Sequence, residues 1–419
     1  IASETLYWNR VRLKILTLIL AGGTGKELSV LTRHRAKTAV PFGGRYRIID
    51  FCLSNCVHSG MQEIAILAQY SPKSLIDHIG MGKSWDLDRK SGGVYILQPT
   101  HNGVAAQWYL GTADALYQNV DLIRNSKAEA ILVLSGDQVY VMDYRIMLRQ
   151  HVALGTACTL AIKKVHPSQR SRFGMVRCSR SGLVTAFQEK PTESTFRHAS
   201  LGIYLFRRDF LLDALESGKT DIVFDIIMPL LKRGDVAGYE FEGYWEDIGS
   251  ISSYYRASLQ LLKNRLLIAD PEWPIFTRDS GFPPAKCADG ASVSDSIIAD
   301  GCVIKGTVMG SILFPGATVG KGAVVKDSIV FSFARIGDGA RVSRSILDKF
   351  VVVSSGARVG SGPSRASTPA AERTTAKRSP ETAGGIAVLG RRARVSRYAV
   401  IRGGALVEPH AVVTRRGNS

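Results

Sequence analysis

A glycine-rich loop follows the first long apolar run of the chain. Residues 16–21 are mostly apolar and do not alternate with polar residues, and they lead into Gly22, Gly23, Gly25 and Lys26. Such an uninterrupted run is typical of a strand buried on both faces of a parallel sheet. Glycines directly after the strand permit a sharp turn and bring backbone N–H groups close to an anion. The expected ligand is a nucleotide phosphate.

The loop matches neither of the two common phosphate-binding motifs. A dinucleotide fingerprint requires Gly-x-Gly-x-x-Gly, but Leu28 stands at the third glycine position, which disfavours a hydride-transfer enzyme. A Walker loop requires Gly-Lys-Ser/Thr, whereas Lys26 is followed by Glu27, a negative charge beside the expected phosphates. Taken alone, such a loop is more often a tight turn, so the other motifs must decide.

Two aspartates in separate loops are candidate metal ligands. Asp137 follows an apolar run at 131–134, and Asp247 lies between Trp245 and Gly249. Ligands of parallel sheets collect at the carboxyl ends of the strands. Two carboxylates from separate loops can share one Mg²⁺, which prefers oxygen ligands and substrate phosphates. A single aspartate at such a place is about as often a cap or turn residue, so the residues alone leave both interpretations open.

The elements that must position these residues change in character along the chain. From residue 13 to about 265, strand-like runs such as 64–68 and 130–134 alternate with helical patterns such as 111–123 and 251–262. This alternation predicts an α/β domain with a Rossmann-like, mostly parallel sheet, which we place at 1–268. Four prolines then predict an extended linker at 269–290.

An internal repeat fills the last part of the chain, 291–419. Serine followed by isoleucine recurs at Ser296, Ser311, Ser328 and Ser345, at spacings of 15, 17 and 17 residues. A rhythm near six residues, with three units in each coil, predicts a left-handed parallel β-helix. Within it, residues 361–385 are rich in Ser, Thr, Ala, Pro and charge, and we expect a disordered insert there.

The amino-acid composition limits which binding partners and which cellular compartment we expect. The 54 Lys and Arg against 36 Asp and Glu give a net charge of +18, but these residues are spread along the whole chain. No zinc-finger spacing or RNA-binding signature accompanies them, so we expect a basic solvated surface and no nucleic-acid partner. The six cysteines lack C-x-x-C spacing, and Cys52 and Cys56 are expected core thiols on one helix face, which fits a reducing cytoplasm.

The N-terminal region also permits a different interpretation. Arg10, Arg12 and Lys14 before the apolar run imitate a secretory signal. The apolar stretch is short and the glycine loop follows it directly, so a first strand is favoured. We find no segment long enough to span a membrane and predict a cytoplasmic protein without a membrane partner.

Further motifs accompany the glycine loop in a fixed order. They are RAKTAVPFGG at 35–44, YRIIDF at 46–51, LSNC at 53–56, QY at 69–70, GKSWDLD at 82–88, WYLGTADA at 108–115, SGDQVY at 135–140, EKP at 189–191, SLGIY at 200–204, YWEDIG at 244–249, WPI at 273–275 and PPAK at 283–286. Together they resemble the sugar-nucleotide pyrophosphorylases, and among these the bacterial ADP-glucose pyrophosphorylases, also called glucose-1-phosphate adenylyltransferases. The resemblance covers about residues 13–350.

This resemblance implies specific roles for residues of the chain. Lys37 and Asp137 would be catalytic, and Asp137 and Asp247 would hold Mg²⁺. The implied nucleotide-binding residues are Leu20, Gly22, Gly23, Gln69, Trp108, Tyr109, Gly111 and Thr112. The implied sugar-phosphate-binding residues are Gly174, Glu189, Lys190, Ser200, Tyr204 and Asp221. Residues 1–268 would form a nucleotidyltransferase catalytic domain.

The implied reaction joins ATP and α-D-glucose 1-phosphate to give ADP-glucose and diphosphate for glycogen or starch synthesis. The resemblance also implies a homo- or hetero-tetramer and allosteric sugar-phosphate effectors. Three positions depart from the family pattern: Glu27 replaces an arginine that grips the β- and γ-phosphates, Thr38 replaces a proline, and His34 replaces an activator-binding lysine. The alternative hypothesis is therefore a catalytically weak or inactive regulatory subunit of the same enzyme.

Overall fold

The structure, a computed structural model, describes residues 13–99, 108–216, 218–361 and 385–415. These residues form an α/β domain followed by a parallel β-helix. The insert expected at 361–385 lies outside the described residues except at its two ends, and Arg10 and Arg12 also lie outside them. No helix in the described ranges is both long and apolar enough to cross a membrane.

The strands of the α/β domain include the predicted buried runs. They are β1 (Ile15–Ala21), β2 (Pro41–Phe42), β3 (Tyr46–Arg47), β4 (Glu63–Ala68), β5 (Gly93–Leu97), β6 (Ala130–Ser135), β7 (Gln138–Tyr140), β8 (Cys158–Lys164), β9 (Met175–Cys178), β10 (Val184–Gln188), β11 (His198–Arg207), β12 (Val236–Glu240) and β13 (Trp245–Asp247). The main sheet has the order β10-β9-β11-β6-β1-β4-β5, and β8 joins β11 to β12. Strands β6, β1, β4 and β5 are parallel, while β11 runs antiparallel to β6. The predicted α/β fold with a largely parallel central sheet is confirmed.

Helices cover both faces of this sheet. They are α1 (Ile48–His58), α2 (Lys73–Ile79), α3 (Thr112–Tyr117), α4 (Val120–Asn125), α5 (Tyr144–Leu154), α6 (Arg208–Ala214), α7 (Met228–Lys232), α8 (Ile251–Lys263) and α9 (Leu266–Ala269), with a π-helical segment at Val223–Ile227 and 3₁₀ turns at Lys26–Leu31, Lys37–Ala39, Lys83–Trp85 and Pro167–Arg172. Alternate residues of β1 enter two cores: Ile19 packs with α1, whereas Leu16 and Leu18 pack with α3 and α4. Cys52 and Cys56 are buried on α1, as expected.

The helix predicted at 111–123 is interrupted in the structure. Helix α3 ends at Tyr117 and α4 begins at Val120. Asn119 lies between them with φ −113° and ψ 20°, and its side-chain amide donates to the carbonyl oxygen of Ala115 and to the hydroxyl of Tyr109. Asparagine often competes with helical hydrogen bonding in this way, which a pattern of apolar residues cannot reveal.

The C-terminal strands form three parallel sheets, the faces of the predicted left-handed β-helix. The first sheet contains Lys286–Cys287, Val303–Ile304, Thr318–Val319, Arg335–Ile336, Val352–Val353, Arg394–Val395 and Val412–Val413. The second contains Ser292–Ser294, Thr307–Met309, Val324–Lys326, Arg341–Ser343, Arg358–Ser361 and Val400–Arg402. The third contains Ile297–Ile298, Ile312–Leu313, Ile329–Val330, Ser345–Leu347, Ala387–Leu389 and Leu406–Val407.

The repeated serines form a ladder at one corner of the β-helix. The backbone N–H of Ser311 donates to Oγ of Ser296 at 3.1 Å, that of Ser328 to Ser311 at 3.0 Å, and that of Ser345 to Ser328 at 3.2 Å. Each hydroxyl thus satisfies a backbone donor of the next coil, and the coils are locked in register. The serine period of the sequence is the period of the coils.

The two domains share one hydrophobic core. Leu28, Val30 and Leu31, on the turn that follows the glycine loop, are buried in the same cluster as Ile312 and Ile329 of the β-helix. Burying apolar side chains of both domains in one cluster favours a fixed relation between them. The turn that follows the glycine loop therefore belongs to the core that joins the two domains.

Candidate active site

Two cavities meet at Lys37 and Asp137. The first, of about 290 Å³, lies at the carboxyl ends of β1, β4 and β6 and is lined by the glycine loop. The second, of about 450 Å³, lies beside β9, β10, β11 and β13. Lys37 and Asp137 line both cavities, so molecules bound in the two would come together at this pair.

Lys37 and Asp137 form a tight ion pair. The Nζ atom of Lys37 donates to Oδ2 of Asp137 at 2.6 Å, and Oγ of Ser135 donates to Oδ1 of Asp137 at 2.6 Å. Burial opposes the charge of each partner, but the attraction outweighs it. The nearby carboxylates of Asp137 and Asp247 raise the pKa of Lys37, and the charge and hydrogen bond of Lys37 lower the pKa of Asp137. Both groups are therefore charged at neutral pH.

Asp247 is brought beside Asp137 by a pair of short strands. Strands β13 and β7 pair antiparallel with Asp247 opposite Gln138, and the N–H of Ile248 donates to the carbonyl oxygen of Asp137 at 3.3 Å. Burial and the neighbouring charge of Asp137 raise the pKa of Asp247 to about 6. Nη2 of Arg172 donates to Oδ2 of Asp247 at 3.4 Å.

The two aspartates have donor chemistry that suits a divalent cation whose other ligands come from a bound molecule or water. Among the described residues, no group of three or more histidines, cysteines or acids could hold a metal ion alone. Mg²⁺, however, commonly binds through one or two carboxylates together with substrate phosphates and water. The donor set of Asp137 and Asp247 matches this pattern, and both line the same cavity.

The glycine loop contains a left-handed turn at Gly25 and is followed by an acidic residue. Gly25 has φ +66°, and a Cβ atom there would lie 2.9 Å from Cγ2 of Thr32, so a side chain would be strained at this turn. Glu27 is exposed in the next turn and lines the larger cavity. The loop is thus a tight glycine turn that borders the smaller cavity, with an acid at its edge.

The predicted nucleotide residues, except Trp108, line the smaller cavity. Oε1 of Gln69 accepts a hydrogen bond from the N–H of Tyr109 at 2.5 Å, which leaves the amide nitrogen of Gln69 as the group able to donate to a ligand. A Cβ atom on Gly111 would lie 2.3 Å from the carbonyl oxygen of Thr220, so only glycine fits there. Trp108 is half exposed and stacks on Tyr70 with ring centroids 4.9 Å apart.

The predicted sugar-phosphate residues, except Asp221, line the larger cavity. An irregularity in β11, where the register with β8 shifts between Ser200 and Tyr204, places both residues on the cavity wall. Lys190 has φ 40°, in the left-handed region, and its Nζ lies 3.6 Å from Oε1 of Glu189. A bulky residue in this conformation stores strain, which is a feature of functional sites.

Asp221 lies at the start of a helical segment. Its Oδ1 accepts hydrogen bonds from the N–H groups of Val223 and Phe224, at 2.8 and 3.0 Å. This is the geometry of a helix cap. In this structure its carboxylate serves the backbone, and it does not line either of the two cavities.

Two residues of the larger cavity were missed by the sequence reasoning. Arg172 lies next to Phe173 and Gly174, and only its closeness to the predicted sugar pocket could have indicated a role. Gln138 follows Asp137 directly; its Nε2 donates to Leu201 at 2.6 Å and its Oε1 accepts from Trp245 at 2.9 Å. Gln138 therefore ties β11 and β13 to the loop of Asp137.

Comparison with known proteins identifies relatives of both domains. Residues 16–264 match the family model described as nucleotidyl transferase, and residues 283–375 match that described as GlmU-like, C-terminal hexapeptide. The chain is 47% identical over 299 residues to a glucose-1-phosphate adenylyltransferase of Thermomicrobium roseum, covering 69% of this chain and 70% of the relative. Proteins of the same name from Thermosipho africanus and Pseudothermotoga lettingae are both 43% identical, covering 74% of this chain and 78% and 76% of the relatives.

Proposed function

The chain belongs to the glucose-1-phosphate adenylyltransferase family of nucleotidyl transferases, and we propose that it forms ADP-glucose and diphosphate from ATP and α-D-glucose 1-phosphate, in glycogen or starch synthesis. The observation that carries this proposal is the meeting of two cavities at Lys37 and Asp137. A nucleotide in one cavity and a sugar phosphate in the other would place their phosphates at the same ion pair.

The reaction needs alignment of two anions rather than a covalent enzyme intermediate. A phosphate oxygen of glucose 1-phosphate attacks the α-phosphorus of ATP, and the bond from that phosphorus to the bridging oxygen breaks in line, so that diphosphate leaves. Lys37 is charged and lines both cavities. We assign it to neutralise the transferring phosphate, because a preorganised cation stabilises charge that develops in the transition state.

In the smaller cavity we assign the nucleotide to the glycine loop and to the residues opposite it. The backbone of Gly22 and Gly23 would approach the phosphates, and Leu20, Gly111 and Thr112 would line the nucleoside. Gln69 would donate from its amide nitrogen to the base. We propose that Trp108 and Tyr109 lie near the base. Tyr109 lines the smaller cavity, whereas Trp108 and Tyr70, which stack on each other, do not.

In the larger cavity we assign the sugar to Glu189, Ser200 and Tyr204 and the phosphate to Lys190. Carboxylate and hydroxyl groups at the wall suit a polyhydroxylated ligand. The Lys190 ammonium is 67% exposed and can reach an anion. Gly174 contributes a wall position, and Asp221 remains a proposal that would require its capping bonds to change.

We assign Mg²⁺ to Asp137 and Asp247, whose donor chemistry fits it. When bound there, a divalent cation would neutralise phosphate charge and orient the leaving diphosphate. Lys37 and Ser135 already fix the orientation of the Asp137 carboxylate, and the pairing of β13 with β7 fixes that of Asp247. The chain therefore prepares both ligands through its own hydrogen bonds.

The basic residues of the larger cavity support a catalytic role rather than a purely regulatory one. Lys37, Arg172 and Lys190 line the larger cavity together with Glu27. Glu27 is exposed and lies at the edge, so water screens its effect on the phosphates. We propose an active enzyme whose binding of the triphosphate is weakened by Glu27.

We further propose that anionic sugar-phosphate effectors bind where the two domains meet. Arg35, Arg47 and Arg391 surround Lys349 on the β-helix, and burial with the charges of these arginines lowers the pKa of Lys349 to about 7. Asp348, held by Nη2 of Arg35 at 2.7 Å, offsets only part of this charge. An anion would relieve the remaining repulsion.

This basic cluster can influence the active site through packing. Arg35 is two residues from Lys37, and Leu28, on the turn after the glycine loop, lies in the core shared with the β-helix. His34 contacts His410 of the β-helix, with ring centroids 6.0 Å apart.

We propose that the chain assembles as a homo- or hetero-tetramer. We also propose that it divides into a catalytic domain at 1–268, a linker at 269–290 and a β-helix domain at 291–419. We also retain the cytoplasmic location, which the free cysteines support.

A panel of nucleoside triphosphates and sugar 1-phosphates with Mg²⁺ tests this function. We expect ATP with glucose 1-phosphate to give the highest kcat/KM, measured as nucleotide sugar by chromatography. A preference for another triphosphate would correct the nucleotide assignment. Absence of product from every pair would contradict the catalytic proposal.

A further inference from the structure

A second basic side chain of the larger cavity, that of Arg172, contacts one of the two proposed metal ligands. Nη2 of Arg172 lies 3.4 Å from Oδ2 of Asp247, and the two side chains are 35% and 24% exposed. A bidentate arginine–carboxylate pair has two bonds of about 2.7–2.9 Å. The contact here is single and long, so this ion pair is weak, and the guanidinium carbon also lies 5.1 Å from the centroid of the neighbouring Phe173 ring.

The backbone of Arg172 is anchored by its neighbours, whereas its guanidinium makes the long ion pair with Asp247 and a stacking contact with Phe173. Arg172 ends the 3₁₀ turn Pro167–Arg172, and the ring of Phe173 packs edge-on against Trp245 with centroids 5.2 Å apart. The carbonyl oxygen of Gly174 accepts a hydrogen bond from the N–H of Ser200 at 2.7 Å. The side chain can therefore change direction from a fixed point on the cavity wall.

The charges of the larger cavity favour a change in the direction of the Arg172 side chain when phosphate binds. Its basic residues are Lys37, Arg172 and Lys190, and its acidic residues are Glu27, Asp137, Glu189 and Asp247. Both proposed metal ligands are occupied by side-chain cations, Asp137 by Lys37 and Asp247 by Arg172. A cavity with more acidic than basic side chains repels phosphates. When a divalent cation binds the carboxylates of Asp137 and Asp247, the basic side chains that these carboxylates hold are released and can bind phosphate.

We infer that Arg172 is a phosphate-binding residue of the sugar-phosphate site, which rests on Asp247 when no divalent cation is bound and transfers to the phosphate of the sugar phosphate when Asp247 ligates the cation. This inference rests on the proposed function. A guanidinium presents two parallel N–H donors that match a phosphate, a geometry the ammonium of Lys190 cannot offer. The exchange would make binding of the cation and of the sugar phosphate favour each other.

Binding measurements on purified full chain test this inference without relying on turnover. We would measure the affinity for Mn²⁺, a paramagnetic probe, by electron paramagnetic resonance, and that for glucose 1-phosphate in saturating Mn²⁺ by calorimetry. In Arg172→Ala, Mn²⁺ alone should bind more tightly, because its competitor is gone. Glucose 1-phosphate should bind about tenfold more weakly, the effect of losing a charged hydrogen-bonding partner.

Arg170→Ala is the matched control. Arg170 lies on the same turn, its Nη1 donates to the carbonyl oxygen of Ser194 at 2.9 Å, and it does not line either of the two cavities. Arg170→Ala removes the same charge as Arg172→Ala and should change neither the affinity for Mn²⁺ nor that for glucose 1-phosphate. Arg172→Lys, which keeps the charge without the fork, should recover only part of the sugar-phosphate affinity.

The inference fails if either affinity of Arg172→Ala equals that of Arg170→Ala. If the unaltered chain makes ADP-glucose while these affinities do not differ, the proposed function stands and the role of Arg172 is wrong. If the unaltered chain makes no ADP-glucose, the proposed function fails, and the same two affinities still decide the role of Arg172.

Discussion

The Nζ atom of Lys37 lies 2.6 Å from Oδ2 of Asp137, although 100 residues separate them in sequence. Lys37 belongs to the 3₁₀ turn Lys37–Ala39, and Asp137 follows β6. The central sheet and the segment that Arg35 ties to Asp348 of the β-helix therefore meet at one ion pair. Because this pair lines both cavities, the proposed chemistry depends on packing in both domains.

Replacing Glu27 should strengthen nucleotide binding. Glu27→Arg exchanges a negative for a positive charge beside the phosphates, and two charges about 4 Å apart interact by about 4 kcal/mol at an effective dielectric near 20, before screening. Since Glu27 is exposed, we expect a smaller effect, a fall in the KM for ATP of about tenfold. The KM for ATP of Glu27→Gln should lie between those of the unaltered chain and of Glu27→Arg. Steady-state kinetics showing an unchanged or higher KM in Glu27→Arg would refute the proposed position of the triphosphate.

Two glycines of the smaller cavity should respond differently to a methyl group. In Gly111→Ala the new Cβ would lie 2.3 Å from the backbone of Thr220, and this overpacking should lower the free energy of unfolding by about 1–3 kcal/mol. At Gly23 such a Cβ would meet no atom of the described residues within 4 Å, apart from its two chain neighbours. Gly23→Ala should therefore keep the thermal midpoint and raise only the KM for ATP. Equal thermal midpoints for both variants would show that the described packing is wrong.

The buried pair between Arg35 and Asp348 should hold the two domains together. Their side chains are 5% and 1% exposed, so Asp348→Ala leaves an unpaired buried charge that costs about 3–5 kcal/mol. The exposed pair of Arg33 and Glu408 joins the same domains. Glu408→Ala is thus the control and should cost less than about 1 kcal/mol. Chemical denaturation measures both, and similar losses would contradict the importance of burial here.

Effector binding should depend on pH through Lys349. Its pKa is lowered to about 7, so it is mostly neutral above that pH and charged below it. An anion favours the charged form, so binding takes up a proton and should tighten as the pH falls from about 8 to about 6. Lys349→Met should remove most of this dependence. Calorimetry with sulfate as the probe, an anion whose own charge is constant in this pH range, measures it, and binding that weakens on acidification would oppose the assignment.

The sequence was sufficient for features that repeat or that burial dictates. The unbroken apolar run predicted β1 because a strand covered on both faces has no polar side. The recurrent serines predicted the coils because each hydroxyl bonds the next coil. The interruption of the helix at Asn119 was missed, since it depends on one side chain competing for a local carbonyl group.

Parts of the site could not be predicted because they depend on contacts between distant segments. The resemblance implied roles for Lys37, Asp137 and Asp247, which remain predictions, but it did not indicate that Arg172 reaches Asp247 across 75 residues of sequence. The burial of Leu28 in a core shared with the β-helix was equally invisible, because an apolar residue after a glycine loop has many potential partners.

Diphosphate release by the purified, unaltered chain tests the central claim most directly. With ATP, glucose 1-phosphate and Mg²⁺, a coupled assay should record release that requires both substrates. Lys37→Ala should reduce kcat by about a hundredfold or more, the usual effect of removing one preorganised group that stabilises transition-state charge. Lys26→Ala, a neighbouring exposed lysine that lines neither cavity, should not. No release by the unaltered chain, or equal release by Lys37→Ala, would contradict the account.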